Sequence, residues 1–179
     1  MQKYFWIFIF LLAPSLLSAQ ASLKHQDLLK QYKEAKEHIA FERYAIAYPI
    51  IQNFLIEYQK DPKQIDNNTL ADAIFIKAAC AKATQASDAS AQLLQFIEDY
   101  PGNPNISIAN FLLGEIAFGI PNYQDAIVYF EAVDKKQLSK TQREAFDYKE
   151  AFSLFALKKF KEARPKFNAI ANSTSYYKE

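Results

Sequence analysis

The sequence has few of the residues that interrupt helices or build catalytic loops. Its 179 residues include 3 glycines, 7 prolines, 1 cysteine and 2 histidines. A fold made of many short strands needs more Gly-rich and Pro-rich turns than this composition provides. Alanine, leucine, lysine, glutamate and glutamine are plentiful instead, and these residues favour helices. The composition therefore predicts an all-α fold.

Residues that carry chemistry are equally scarce. Cys80 has no second cysteine to pair with, so we interpret it as a small core residue, with an intermolecular disulfide as the alternative. His25 and His38 lie outside any HExxH, CxxC or acidic ligand pattern. The glycine-rich phosphate loops and the G-x-S-x-G nucleophile motif are absent from the sequence. We therefore expect no catalytic residue, no metal site and no cofactor, and a protein that is not an enzyme.

The charge is balanced, with 21 Lys and Arg against 20 Asp and Glu. Binding to nucleic acid depends on an excess of cations that neutralise phosphates. We therefore expect no nucleic-acid partner.

The first 21 residues have the pattern of a cleavable signal peptide. Lys3 precedes an almost wholly apolar stretch over residues 4–17, and Ala19 and Ala21 supply an A-x-A exit. The alternative is a membrane anchor, but a span needs about 20 apolar residues, and Pro14 interrupts this shorter run. We expect cleavage after Ala19 or Ala21, a periplasmic or secreted protein, and no membrane span after cleavage. No cysteine stands directly after the leader, so lipid attachment to a new N-terminal cysteine is not expected.

One pattern recurs along the rest of the chain: an aromatic or small residue, alanine three positions later, and large apolar residues at seven and ten. These positions share one stripe of a helix with 3.6 residues per turn, so each copy predicts an amphipathic helix. The four copies are Tyr44-Ala47-Ile51-Phe54, Ala86-Ala89-Leu93-Phe96, Tyr123-Ala126-Phe130-Val133 and Phe160-Ala163-Phe167-Ile170.

Each copy follows another apolar-striped segment, and the pairs predict an α-solenoid of about four repeats. Short connections such as residues 119–122 favour antiparallel neighbours, and Pro62 and Pro101 mark ends of units because proline does not continue a helix. The first helices are predicted over residues 28–39, 70–83, 108–118 and 145–157. The repeats are predicted at about 28–62, 69–104, 107–138 and 144–175, within one domain over residues 22–179.

Two prolines refine the helix starts. Pro49 and Pro165 each follow the repeat alanine by two residues. Proline loses no helical hydrogen bond within about the first four positions, because the N–H groups there are unpaired. The two helices are therefore predicted to begin at 44–46 and at 160–162.

The repeats resemble the tetratricopeptide (TPR) motif, in which small residues and an aromatic residue recur at fixed places in two helices. The third copy carries Leu113-Gly114, Tyr123, Ala126 and Phe130 at the corresponding places, and the second copy matches only in its second helix. Residues 96–133 also resemble divergent TPRs of periplasmic proteins, namely the Tol–Pal coordinator and the outer-membrane-assembly lipoprotein. The resemblance implies a helical-repeat scaffold.

In TPR proteins the first helix of each repeat lines a concave groove, and exposed aromatic residues there serve as anchors for partners. The resemblance therefore implies a non-catalytic interaction scaffold of the bacterial cell envelope that binds a protein or peptide segment. Packing of these side chains against other parts of the protein is the alternative interpretation. The candidate groove residues are Tyr32, Lys36, Phe111, Glu115, Phe118, Tyr148, Phe152 and Phe155.

Two other functions stay open at this point: a structural spacer or assembly subunit of an envelope complex, and, more remotely, an accessory domain of a larger enzyme. The sequence predicts a turn over residues 172–175 and the start of another helix over residues 176–179. The ends of solenoids usually carry a polar capping helix. We therefore expect this chain to be the N-terminal part of a longer array, or to self-associate through its C-terminal face.

Overall fold

The computed structural model describes residues 25–62 and 65–171, and the regular structure in these two ranges is entirely helical. The expectation of an all-α fold is confirmed. The predicted signal peptide over residues 1–21 and the end of the predicted fourth repeat, residues 172–175, lie outside the described ranges. The helices are α1 (25–40), α2 (Tyr44–Lys60), α3 (Asn67–Ala83), α4 (Ala89–Asp99), α5 (Ile106–Gly119), α6 (Tyr123–Glu131), α7 (Lys140–Ala156) and α8 (Phe160–Ala171), with a short 3-10 helix at Lys135–Gln137 before α7.

Among the helices in these two ranges, none is both long and apolar enough to cross a membrane.

The helix boundaries agree closely with the repeat pattern. Helices α2 and α8 begin at Tyr44 and Phe160, the first positions of their predicted windows. Pro49 and Pro165 are nevertheless the sixth residues of these helices, beyond the first four positions, so the assumption that they lose no helical hydrogen bond is wrong. The second copy also differs, because α4 begins at Ala89 and not at Ala86.

The same turn joins the two helices of every pair. In each case a backbone N–H just after the first helix donates to a carbonyl five residues earlier, which is a hydrogen bond of the Schellman type. The four bonds run from Arg43 to His38, from Ala86 to Ala81, from Asn122 to Ala117 and from Lys159 to Leu154, at 2.8–2.9 Å. The same type of turn therefore follows α1, α3, α5 and α7.

The described residues fall into two compact units, one ending at Lys77 and one beginning at Ala78, within α3. In the first unit, α1 and α2 are tied together by a hydrogen bond from the Asn53 amide to Gln31 at 2.8 Å. The rings of Tyr32 and Phe54 lie 5.9 Å apart between the same two helices. Ala35, Ala47, Ile51 and Phe54 are fully buried in this unit.

The second unit contains α4 to α8, packed in sequence order, and α5 also contacts α7. The repeat alanines of α4, α6 and α8 are buried, as the pattern predicted for positions where helices approach closely. Gly114 of α5 serves the same purpose, because a Cβ at this position would overlap the buried ring of Phe130. The main buried cluster consists of Phe111, Ala117, Ala126, Phe130, Leu138, Ala145 and Phe146.

The connection between α6 and α7 forms part of this core. Ser107, buried at the start of α5, accepts a hydrogen bond from the Asp134 N–H at 2.8 Å and lies 3.2 Å from the Asp134 carbonyl oxygen, to which its hydroxyl can donate. Ser139 then caps α7 in a reciprocal arrangement with Gln142. These bonds hold the 3-10 helix against α5 and bury Leu138.

Candidate partner-binding site

The structure separates the eight predicted groove residues into four groups. Tyr32 and Lys36 belong to the first unit. Phe111 is in the core of the second unit. Phe155 lies among aromatic residues of α8. The remaining four, Glu115, Phe118, Tyr148 and Phe152, come together on the surface formed by α5 and α7.

Tyr32 and Lys36 form a polar network between α1 and α3. The Tyr32 hydroxyl donates to Asp72 Oδ2 at 2.6 Å, and Lys36 Nζ lies 3.0 Å from the same oxygen. Lys36 also donates to the Tyr32 oxygen at 3.1 Å. Burial, followed by the hydrogen bond to Asp72, raises the pKa of Tyr32, so the phenol stays protonated and keeps donating. Both residues therefore have a structural partner within their own unit.

Phe111 does not line an exposed groove, which corrects the expectation for this residue. Its side chain is 2% exposed and packs in the main core cluster with Leu138, Ala145 and Phe146. The physical reason is that α6, α7 and the connection between them all contribute to this cluster: Asp134 of the connection is bonded to Ser107 at the start of α5, and Leu138 is buried in the same cluster as Phe111. A partner cannot reach this ring unless the core opens.

Glu115 lies at the centre of the surface formed by α5 and α7 and connects three helices. Its two carboxylate oxygens accept from Lys82 at the end of α3 and from Lys149 of α7. The side chain is 12% exposed. Burial by itself would raise the pKa of Glu115, but the two ammonium groups outweigh it and hold the pKa below its ordinary value. The site therefore holds two cations against one anion, a local excess of positive charge.

An aromatic cluster adjoins this charged centre. The Phe118 ring contacts Phe152 edge-on at 5.6 Å and Tyr123 at 5.8 Å, and Phe152 lies 6.1 Å from Tyr148. All four side chains are half-buried, so each keeps part of its ring in contact with solvent. Aromatic pairs at these distances gain about 0.5–1.5 kcal/mol beyond the burial of their area. The result is a fixed aromatic surface.

Phe155 lies apart from this cluster, although it shares a helix stripe with Tyr148 and Phe152. Its ring contacts Phe160 at 5.5 Å and Phe167 at 6.4 Å, both on α8. Phe155 is 52% exposed and Phe160 is 54% exposed. The two rings form a separate apolar surface at the α7–α8 turn.

An open cleft of about 490 Å³ lies on the other side of the charged centre, between the α3–α4 turn and the end of α5. Lys82 and Glu115 line it together with Ser87, Ser90 and Ile120. Ile120 is 68% exposed. The cleft, the ion pairs and the aromatic cluster therefore form one continuous surface, which we call the α5–α7 surface.

Sequence reasoning missed several members of the α5–α7 surface: the cleft residues Ser87, Ser90 and Ile120, and three residues of the ion pairs and the aromatic cluster. Tyr123 was assigned to the helix-stacking stripe, and Lys82 and Lys149 were not singled out. One signal was available for the lysines. Residues 83–134 contain no Lys or Arg, so an inward-lying Glu115 needs cations from other segments.

Within the described residues, no group of three or more His, Cys, Asp or Glu side chains is arranged to hold a metal ion. Comparison of the chain with protein-family models, curated protein sequences and solved structures finds no match.

Proposed function

We propose that this protein is a non-catalytic interaction scaffold that binds a polypeptide segment on the α5–α7 surface. The observation that carries the proposal is the partly exposed cluster of Phe118, Tyr123, Tyr148 and Phe152 beside the Lys82–Glu115–Lys149 ion pairs. Aromatic side chains lose little conformational entropy on binding and are enriched among the residues that dominate binding energy.

The charges suggest how a segment would be oriented. Lys82 and Lys149 share one carboxylate, so one positive charge is available to a carboxylate or backbone carbonyl of the partner. The exposed ring surfaces would take apolar or aromatic side chains of the same segment. The partner class that fits is a peptide with apolar residues flanked by an acidic group.

We further propose that the helix pairs form a solenoid of the TPR type. The recurrent hairpin turn and the buried repeat alanines support this assignment. Location in the cell envelope is also a proposal, supported by the leader pattern over residues 1–21.

The proposal is tested by photocrosslinking in the native cell. Tyr148 is replaced by p-benzoylphenylalanine, and the matched control carries the same amino acid at Gln95, an exposed position of α4. We expect a covalent adduct with a polypeptide from position 148, none of the same mass from position 95, and loss of the adduct when Phe118→Ala is added. Position 148 giving no adduct, or the same adducts as position 95, would contradict the proposal.

A structural spacer is the second candidate, and one observation favours it. The aromatic rings already contact one another, and both Glu115 oxygens already have partners. In a spacer these contacts would serve only to fix the helix spacing. Phe118→Ala would then lower stability and leave crosslinking from position 148 unchanged.

A further inference from the structure

The charged residues of the second unit are segregated along the chain. Residues 83–134 contain seven acidic side chains and no Lys or Arg, whereas residues 135–166 contain ten Lys or Arg and four acidic side chains. Helices α4 to α6 are therefore acidic. Helix α7 carries three cations and three anions, so the positive excess lies in α8 and in the connections that flank α7. This separation does not depend on the proposed peptide surface, since Glu115 is the only one of these seven acids that takes part in it.

The basic part ends in an exposed apolar surface. Phe155 and Phe160 are 52% and 54% exposed, and their rings touch. Around them lie Lys158, Lys159, Lys161 and Arg164, all exposed and, within the residues that the structure describes, all without an ion pair. We call these six residues the basic patch.

The acidic part carries the complementary features. Leu94 of α4 and Val128 of α6 are 46% and 54% exposed. Glu98 and Asp99 follow Leu94 on α4, and Glu131 follows Val128 on α6, all exposed and none in an ion pair inside the described ranges. Both helices pack against α5, and we call these five residues together the acidic face.

Each surface pairs exposed apolar side chains with charged ones. The acidic face has three anions, and the basic patch has four cations beside one exposed acid, Glu162, so the two surfaces are opposite in net charge. Complementary charge steers encounter and fixes the register of an interface, while the apolar side chains lose water on contact. We propose that the basic patch of one copy docks on the acidic face of a second copy. Such an interface uses different surfaces of the two copies, so the association is head-to-tail and extends beyond a dimer unless it closes into a ring.

The test is sedimentation of the purified protein at about 0.1 mM, a concentration suited to weak interfaces. At low ionic strength we expect a weight-average mass above that of the 20.5 kDa chain. Raising the salt from about 0.05 M to about 0.5 M should weaken the association about tenfold or more, because these exposed charges are screened.

Two sets of charge reversals make the test specific. One variant carries Lys159→Glu, Lys161→Glu and Arg164→Glu in the basic patch. The other carries Glu98→Lys, Asp99→Lys and Glu131→Lys in the acidic face, where cations in the last turn of a helix are tolerated. Each variant alone should be monomeric, and an equimolar mixture should associate again, because each reversed surface then meets a surface of opposite charge. A control with Lys30→Glu, Lys33→Glu and Lys140→Glu, with the same change in charge, should associate like the wild type.

Three results would overturn the proposal. The first is a wild-type protein that stays monomeric at low salt. The second is a pair of variants that still associate singly, or that fail to associate when mixed while circular dichroism shows both folded. The third is a monomeric protein that cosediments with vesicles of anionic phospholipid through the basic patch, which would make the patch a lipid-binding surface.

Discussion

The two halves of helix α5 lie in different environments, although their side chains follow one stripe. Phe111 in the N-terminal half is 2% exposed, whereas Phe118, seven residues later, is half-buried and contacts rings of α6 and α7. The difference comes from the connection after α6. Its 3-10 helix is held to Ser107 and places Leu138 over the first half of α5. Position in a repeat therefore does not decide alone whether a residue is core or surface; the covering segment decides as well.

The largest expected loss of stability distinguishes the buried half of α5 from the partly exposed half. Phe111→Ala should lower the free energy of unfolding by about 3–5 kcal/mol, because it leaves a cavity in a closed core. Phe118→Ala should cost about 1–2 kcal/mol, since part of its ring is already in water. Urea unfolding followed by circular dichroism measures both. Equal costs would show that the two halves of α5 are packed alike.

Removal of the Glu115 carboxylate should cause the second largest loss of stability, because it leaves Lys82 and Lys149 close together without an anion. Glu115→Ala is expected to cost about 2–4 kcal/mol, in the range for breaking a largely buried ion pair. The control is Asp147→Ala on α7, whose ion pair with Lys135 is 42% and 46% exposed; this change should cost about 1 kcal/mol or less. Thermal unfolding of both variants at neutral pH checks the order, and a greater loss for Asp147→Ala would contradict it.

The effect of Glu115 should also depend on pH. Its pKa in the folded protein is held below the ordinary value of 4.5 by the two lysines, although burial opposes the shift. A carboxyl with a lowered pKa stabilises the fold above its unfolded pKa, and this contribution is lost as the pH falls through the folded pKa. The stability difference between the wild type and Glu115→Gln should therefore be largest above about pH 5 and shrink under more acidic conditions. A difference that is constant from neutral to acidic pH would exclude this role.

Gly114→Ala should have the third largest effect on the free energy of unfolding. Gly114 lies on the side of α5 that faces α6. A Cβ at this position overlaps the ring of Phe130, which is 1% exposed and has no room to move away. Gly114→Ala should therefore cost about 1–3 kcal/mol despite the better helix propensity of alanine. Gly119→Ala is the matched control, since no atom lies within 4 Å of a Cβ there, and it should be neutral or stabilising. A neutral Gly114→Ala would mean that α5 and α6 can separate at no cost.

Much of the fold could be predicted from the sequence because the repeat pattern follows the physics of helix packing. Ala47, Ala126 and Ala163 are buried where the pattern placed close helix contacts, and α2, α6 and α8 begin at its first residues. Pro62 and Pro101 each lie two residues after the end of a helix, because proline does not continue a helix.

The candidate site was less predictable because it depends on contacts between segments far apart in the chain. Register predicted Phe118, Tyr148 and Phe152 at one surface, and the structure brings these three together. It could not show that Leu138 and Phe111 share a buried cluster, or that the Phe155 ring contacts the rings of α8. Lys82 lies 33 residues from Glu115 along the chain, and no local pattern joins them.

Binding of a polypeptide on the α5–α7 surface is tested most directly by a comparison of affinities. A synthetic peptide that covers the segment crosslinked from position 148 is titrated by calorimetry against the wild type, Tyr148→Ala with Phe152→Ala, and Gln95→Ala as the matched control. Loss of two aromatic contacts of about 1–3 kcal/mol each should weaken binding at least tenfold, with Gln95→Ala unchanged. Equal affinity of all three folded proteins would contradict the account.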